Sequence, residues 1–288
     1  MKNFLASLCA ATAILTATAA LAAQPTSWQM GFQPAASAMM EEIRWFEQYT
    51  LVFIVPITFL VLALLAWCIF RFRASANPVP SRTSHHTLIE VIWTVGPVVV
   101  LLFLAIPSFQ LLSAQYEFPE EPALTVKATG NQWNWDYEYQ TDEPLTFNSS
   151  MLAETDRAQF GKEDVAAYPR LLAVDNEVVV PVDTTVRLLV TASDVIHAFA
   201  LPAFGVKVDA VPGRVNETWF KATREGLYYG QCSELCGKDH AYMPIAIRVV
   251  TVDQYETWLS AAESDLTGAN RALMAAVEAK AKLAAAGN

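Results

Sequence analysis

Tyr228-Tyr229-Gly230-Gln231-Cys232-Ser233-Glu234-Leu235-Cys236-Gly237-Lys238-Asp239-His240-Ala241-Tyr242-Met243 runs directly into Pro244-Ile245-Ala246-Ile247-Arg248-Val249-Val250. The first part places two thiols, an imidazole and a thioether in one short loop. These are soft or borderline ligands, the set that selects copper over calcium, magnesium or manganese. The second part is apolar and strand-like, and it begins immediately after Met243. The loop is therefore expected between strands. His197, upstream in another strand-like run, is a fifth candidate ligand. Of the four histidines, His85 and His86 lie in a short basic loop between apolar segments, which leaves His197 and His240. Cys232 and Cys236 are the only cysteines downstream of those segments.

Other chemistries use the same residue types. Two cysteines in an exported domain commonly form a disulfide. A Cys-x-x-x-Cys pair also serves as a redox dithiol. Neither accounts for His240 and Met243 at their short spacing. A closed zinc site takes Cys, Cys, His and His, but it leaves Met243 and Glu234 idle. A thioredoxin-like copper chaperone requires βαβ alternation with a helix opening at the cysteines, and here a strand-like run follows. Copper is the leading reading.

Working outward, the chain divides by composition. It is acidic, with a formal net charge of −10, yet 53% of its residues are apolar. That combination suggests membrane spans joined to an acidic soluble domain. Residues 1–23 carry Lys2, an apolar run and Ala20-Leu21-Ala22, the pattern of a cleaved secretory signal that takes Cys9 with it. An outward-facing segment 24–47 follows. The chain is uncharged between Glu47 and Arg71 and between Glu90 and Glu117, and the corresponding spans, 48–72 and 90–115, are each long enough to cross a bilayer as a helix. Their prolines, Pro56, Pro97 and Pro107, are tolerated in spanning helices whose neighbours satisfy the freed carbonyls. Cys68, within the first stretch, is read as a packed apolar residue. The loop 73–89, with Arg71 at its edge, carries Arg73 and Arg82 and no acid before Glu90, which places it in the cytoplasm by the positive-inside rule.

The exported part holds nearly all the acid. Of 29 acidic and 19 basic residues, Glu41, Glu42, Glu47 and Glu90, and Lys2, Arg44, Arg71, Arg73 and Arg82, precede Glu117; 25 against 14 remain, a charge of −11. Such a field steers a basic partner and argues against nucleic acid; it also serves plain solubility. Short β-like runs recur here: Leu124–Ala128, Val186–Val190, Thr218–Phe220 and Pro244–Val250, broken by Pro181, Pro202, Pro212-Gly213 and Glu225-Gly226. They predict a β-sandwich or Greek-key barrel over 117–258. Met151–Arg170 reads as a polar loop or insertion, and 259–288 as a helical tail within an Ala-rich run from Asp253.

Three motifs in order carry a family resemblance. They are the cysteine loop, Asp194-Val195-Ile196-His197-Ala198-Phe199-Ala200-Leu201-Pro202 with its continuation Gly205–Arg214, and the aromatic run Gly130-Asn131-Gln132-Trp133-Asn134-Trp135-Asp136-Tyr137-Glu138-Tyr139. The chain resembles subunit II of haem-copper cytochrome c oxidase over roughly residues 40–258. The resemblance implies an α+β membrane protein: a two-helix transmembrane hairpin followed by an all-β cupredoxin (Greek-key barrel) domain. It implies a bacterial inner-membrane location with the copper domain in the periplasm.

It further implies a binuclear copper (CuA) centre. Cys232 and Cys236 would bridge two ions; His197 and Met243 would complete one, and His240 and the Glu234 carbonyl the other. The Glu234 side chain would help hold a magnesium or manganese ion shared with subunit I, a hard ion suited to carboxylate. Trp133 would receive electrons from cytochrome c, while Trp135 is expected in the core. Glu138, Asp175 and Asp194 would meet the lysines of cytochrome c; one further family acid falls near Asn148 here. Asp194 also suits a cap of the turn before His197. Glu90 would stand at the mouth of a proton channel belonging mostly to subunit I, or else be a helix-start acid favoured by the macrodipole. Haem a would reside only in the partner subunit, and subunit III is a further expected partner. A quinol oxidase subunit lacks this ligand set, and a cytochrome c fusion would show Cys-x-x-Cys-His, which is absent from the chain.

Overall fold

The alternation at Leu124–Ala128 continues into an eight-residue strand, β1 (Leu124–Asn131), whose odd positions are buried and even positions half-exposed. That is the period of a strand with one face on a core. In the computed structural model, which describes residues 24–79, 81–141 and 143–286, nine more strands follow. They are β2 (Asn134–Tyr139), β3 (Leu145–Ser149), β4 (Val178–Pro181), β5 (Thr185–Ala192), β6 (His197–Leu201), β7 (Val206–Ala210), β8 (Asn216–Lys221), β9 (Gly226–Cys232) and β10 (Pro244–Val250). The expected signal segment 1–23 lies outside the described residues.

The strands form two five-stranded sheets, in the orders β3-β2-β1-β5-β8 and β4-β10-β9-β6-β7. Consecutive strands repeatedly change sheet, so β1 pairs in parallel with β5 and β4 with β10. The inner faces share one core that includes Val126, Trp135, Tyr137, Leu188, Phe199, Phe220 and Ile247. Gly230 permits the close approach of β9 to β6, since a Cβ there would lie 2.0 Å from the Ala200 carbonyl oxygen.

All seven residues of β10 are buried, although only one face looks into the core. The outer face is covered by the insertion and the residues that follow it: Tyr168, Leu172 and Val174 pack on Leu227, Tyr229 and Ala246. The segment read as a polar loop is thus a packed layer. It contains a short helix, α3 (Arg157–Phe160), and buries Arg157 and Lys162. Lys162 and Arg248 both pair with Glu177, and Arg248 also donates to the Tyr168 hydroxyl. Burial raises the Glu177 carboxyl, and the two cations overcome that to hold it at about 2.

The helical run begins one residue before the expected Asp253, and the domain boundary expected at 259 falls inside its first helix. Thr251 and Gln254 form a reciprocal capping box at the start of α4 (Val252–Ala262). Trp258 is buried with its ring centroid 5.6 Å from that of Tyr139. The indole donates to Asn270 in α5 (Leu266–Ala286) at 2.8 Å, and Asn270 donates to Asn176 at 3.1 Å. The tail is therefore part of the β unit. So are residues 35–40: Ala36 exchanges backbone bonds with Ala203 and Thr223, and Ser37 donates to the Phe204 carbonyl at 2.8 Å.

The other unit, Glu41–Glu117, holds most of the two long apolar helices. α1 spans Ala38–Arg71 and α2 spans Thr87–Tyr116, both long and apolar enough to cross a membrane. α1 starts ten residues before the expected span because the Ser37 hydroxyl accepts from the Met40 N–H as a cap, and its first turns are polar. In α2, Pro107 has no N–H for the Phe103 carbonyl. Tyr49 of α1 donates its hydroxyl to that carbonyl at 3.1 Å. Phe53 stacks on Phe103 beside it. The hairpin thereby satisfies a backbone group that lipid leaves without a partner.

Candidate metal centre

β9 and β10 are antiparallel, with Gln231 opposite Pro244. The loop between them is closed at its base by a bond from the Cys232 N–H to the Met243 carbonyl, 3.3 Å. Ser233 N–H donates to the Ala198 carbonyl at 2.9 Å. That bond ties the loop to β6, whose first residue is His197. A single 3-10 turn, His240–Tyr242, folds the far side of the loop back toward the cysteines. Sequence neighbours and a strand 35 residues away in the chain are thus brought to one point.

The donor atoms converge there. The two Sγ atoms are 3.9 Å apart. Cys232 Sγ lies 3.8 Å from His197 Nδ1 and 3.3 Å from the Glu234 carbonyl oxygen. Cys236 Sγ lies 3.5 Å from His240 Nδ1 and 3.5 Å from Met243 Sδ. His197, Cys232, Cys236 and Met243 are buried, while Glu234 is exposed and His240 half-buried. Desolvation, then the neighbouring Cys232, push the Cys236 thiol up to about 12. A buried thiol of that kind becomes a ligand only when a cation displaces its proton.

This geometry tests the donor set. Both cysteines are free, and 3.9 Å is nearly twice the roughly 2.05 Å of a disulfide. Donors bound to one ion at about 2.3 Å lie no more than about 4.6 Å apart. Ligand atoms of His197, Cys232 and Cys236 come close to that spacing, all within 4.8 Å of one another, and His240 Nδ1 adjoins the group through Cys236 Sγ at 3.5 Å. Two thiols, two imidazoles, a thioether and a carbonyl in one place are the soft and borderline donors that fit a copper centre.

The surroundings hold His197 in place. Its ring lies on Gly130, where a Cβ would come within 3.0 Å of the imidazole carbons. Its Nε2 is 2.9 Å from Asp194 Oδ1, which leaves Nδ1 toward the sulfur and fixes the ring's orientation. Asp194 also accepts from the Val195 N–H at 2.6 Å and the Gln132 N–H at 2.7 Å. Desolvation raises its carboxyl, and the hydrogen bonds from His197, Val195 and Gln132 outweigh that and hold it below the usual range.

Trp135 is fully buried, edge-on to His197 and Phe199. Trp133 is half-buried and lies against Gly237 inside the cysteine loop, where a Cβ would come within 2.9 Å of its ring. Lys238 Nζ stands 5.6 Å from the Trp133 ring centroid, within cation–π range. Glu138 pairs with Lys127 at 3.4 Å and remains about one-third exposed at 36%. Asp175 accepts from the Ser150 N–H at 2.8 Å and the Asn176 N–H at 2.6 Å, and burial raises its carboxyl. Asn148, near the expected further acid, donates to its cross-strand partner Asp136 at 2.8 Å. In the helical unit, Glu90 Oε1 accepts from the His86 N–H at 3.1 Å, and the His86 ring accepts from the Ile89 N–H. Gly130, Gln132 and Lys238 were not among the predicted site residues; Gly130 and Gln132 open the aromatic motif, and Lys238 lies inside the cysteine loop.

Comparison with known proteins follows the same division. Residues 25–111 match the family described as cytochrome C oxidase subunit II, transmembrane domain. Residues 124–250 match cytochrome C oxidase subunit II, periplasmic domain. The chain is 46% identical over 247 residues to the probable cytochrome c oxidase subunit 2 of Rickettsia bellii, covering 86% of this chain and 89% of that one. It is 47% identical over 244 residues to cytochrome c oxidase subunit 2 of Oenothera berteroana, covering 83% and 91%. A crystal structure of the periplasmic domain of subunit II of cytochrome oxidase from Bradyrhizobium japonicum is 53% identical over 52% of this chain and 99% of that one, with a TM-score of 0.46.

Proposed function

The chain belongs to the cytochrome c oxidase subunit II family, and from that premise we propose that its cupredoxin domain accepts electrons from cytochrome c and passes them to haem a in subunit I, where oxygen is reduced to water. The observation that carries the copper reading is the pair of unbridged sulfurs, 3.9 Å apart, with imidazole, thioether and carbonyl donors around them. Cys232 and Cys236 would bridge, His197 and Met243 would serve one ion, and His240 and the Glu234 carbonyl the other. A copper pair held in this way supplies one-electron transfer with little change of geometry.

The protein's own part is to hold these donors still and dry. His197 is locked by Gly130 and Asp194, and the hairpin base fixes Cys232 against Met243. The burial of four donors excludes water from the site, which limits solvent reorganisation on each transfer. Trp133 is the point of electron uptake in this reading: its ring touches the residue after Cys236 and part of it faces outward. Glu138, Asp175 and Asp194 belong to the acidic field that draws a lysine-ringed cytochrome. Asp175 and Asp194 add charge to that field while their oxygens serve the fold. The exposed Glu234 carboxylate is available to a magnesium or manganese ion shared with subunit I.

The hairpin anchors the subunit in a bacterial inner membrane beside subunit I, with subunit III as a further neighbour. The basic loop between α1 and α2 faces the cytoplasm, and the copper domain faces the periplasm. Glu90 lies at the cytoplasmic start of α2, where it serves proton uptake in addition to capping the helix. The test is metal counting and electron paramagnetic resonance on the detergent-solubilised full chain. Two coppers per chain sharing one unpaired electron are expected. One copper with a type-1 signal, or zinc alone, would sink the binuclear reading.

A further inference from the structure

The two segments that carry the copper donors are far apart in the chain, and the base of the hairpin fixes only part of the loop. Cys232, Ser233 and Met243 are tied to the sheet. Between Glu234 and Asp239 the loop leaves β9, and its internal backbone bonds run only from His240 to Gly237 and from Tyr242 to Asp239. Cys236 sits in that stretch. What sets its distance from His197 comes from outside the loop.

Gln132 occupies that position. Its side-chain Nε2 donates to the Cys236 carbonyl at 2.7 Å, across 104 residues of chain. Its backbone N–H donates to Asp194 Oδ2 at 2.7 Å, and Asp194 Oδ1 meets His197 Nε2 at 2.9 Å. One residue thus touches both ligand segments: through its side chain the cysteine loop, and through its backbone the carboxylate that orients His197. The next residue is Trp133, whose ring lies on Gly237. The β1–β2 turn is a bracket across the front of the site.

We infer that Gln132 is a positioning residue that holds Cys236 and His197 in register for the metal and ties both to the tryptophan on which a partner docks. The inference rests on the copper reading above. Its chemistry is specific. The reach requires the full length of glutamine, since asparagine falls short by one methylene, about 1.5 Å. The function requires an N–H donor, since the Cys236 carbonyl offers only an acceptor. Residues that orient ligands in this way typically change metal affinity by about 10–100-fold when they are removed.

The experiment compares the copper-loaded full chain with Gln132→Met, which keeps the length and removes the donor. Gln132→Asn, which keeps the amide and shortens the reach, is the second variant. Two quantities are read: the rate of copper loss to a chelator, and the copper hyperfine splitting in electron paramagnetic resonance. Both variants should bind two coppers, lose them at least about tenfold faster, and show an altered splitting, a change that mere loss of fold stability does not produce. If either folded variant keeps both quantities within twofold of the parent, Gln132 does not position the site. If the parent chain binds no copper pair, the proposed function fails first and this inference with it.

Discussion

Two regions of the β unit bury polar chemistry, and they resolve it in opposite ways. Under the insertion, Glu177, Lys162 and Arg248 are each less than a tenth exposed, and protein groups meet them on every side. Glu177 takes both cations, Lys162 also donates to the Val174 and Asp175 carbonyls, and Arg248 donates to Tyr168. At the end of β9 the buried groups are two thiols, an imidazole and a thioether. Of these, only His197 has a strong protein partner, Asp194. Buried polarity that the chain completes for itself is structural. Buried donors that converge without a cation among them point to one supplied from outside. The difference separates a cluster that holds the fold from a site that holds a metal.

The largest effect should come from removing a shared donor. Cys236→Ala is expected to abolish the copper pair outright, leaving at most one weakly held ion per chain, while the thermal unfolding of the metal-free protein shifts little. The side chain packs beside Met243 and Cys232, and its loss deletes one small buried atom rather than a charge. Metal counting and calorimetry on the same preparation would check both halves. A variant that retained two coppers, or that failed to fold without metal, would break the comparison from the metal side.

The converse belongs to the ionic cluster. Glu177→Gln leaves Lys162 and Arg248 buried without their anion, and breaking such a pair costs about 3–5 kcal/mol. Copper loading and its spectrum should be unchanged in the molecules that remain folded. The pH dependence has a definite sign. The folded Glu177 carboxyl is held at about 2, below its ordinary 4.5. Its contribution is therefore complete above about pH 4.5 and is lost as pH falls through about 2. Acid unfolding of the parent should carry that loss, and the variant should show a flatter profile over the same window.

The contrast also explains what the sequence disclosed. The cysteine loop was legible because its ligands are local and a β-branched run follows Met243 without a break. β1, with its alternating burial, was legible for the same reason. The ionic cluster was not. Arg157 and Lys162 read as part of a polar loop or insertion, because the Tyr168 carbonyl that receives Arg157 and the Glu177 carboxylate that pairs with Lys162 give no local period. The brace around the copper donors was hidden by distance: Gln132 meets Asp194 across 62 residues and Cys236 across 104. Boundaries slipped where caps decide them. Ser37 begins α1 while the chain is still tied to the β unit, and the domain boundary expected at 259 falls inside the helix that Thr251 and Gln254 begin. The hydroxyl that closes the Pro107 gap comes from Tyr49, on the other helix of the hairpin.

The smallest effects distinguish acids that serve a partner from acids that serve the fold. Asp175 and Glu138 were both expected at the cytochrome surface, and their environments differ. Asp175 closes a turn by accepting two backbone N–H groups, and burial raises its carboxyl. Asp175→Asn should therefore cost about 1–3 kcal/mol of stability through imperfectly paired backbone donors, with only a modest change in the association rate of cytochrome c. Glu138 lies in β2 with one half-exposed cation, Lys127, as its partner. Such a surface pair is worth about 0–1 kcal/mol, so Glu138→Gln should leave the unfolding midpoint nearly unchanged. Its charge still acts at a distance. Association should slow at low ionic strength, and the difference from the parent should shrink as salt approaches about 0.15 M, where the screening length falls to about 8 Å. Stopped-flow association at several salt concentrations, beside calorimetry, separates the two acids. If Glu138→Gln slowed association equally at every salt concentration, its role would be contact rather than field, and the steering would have to come from other carboxylates on this face, of which Asp136, exposed and cross-strand from Asn148, is the nearest in the sheet.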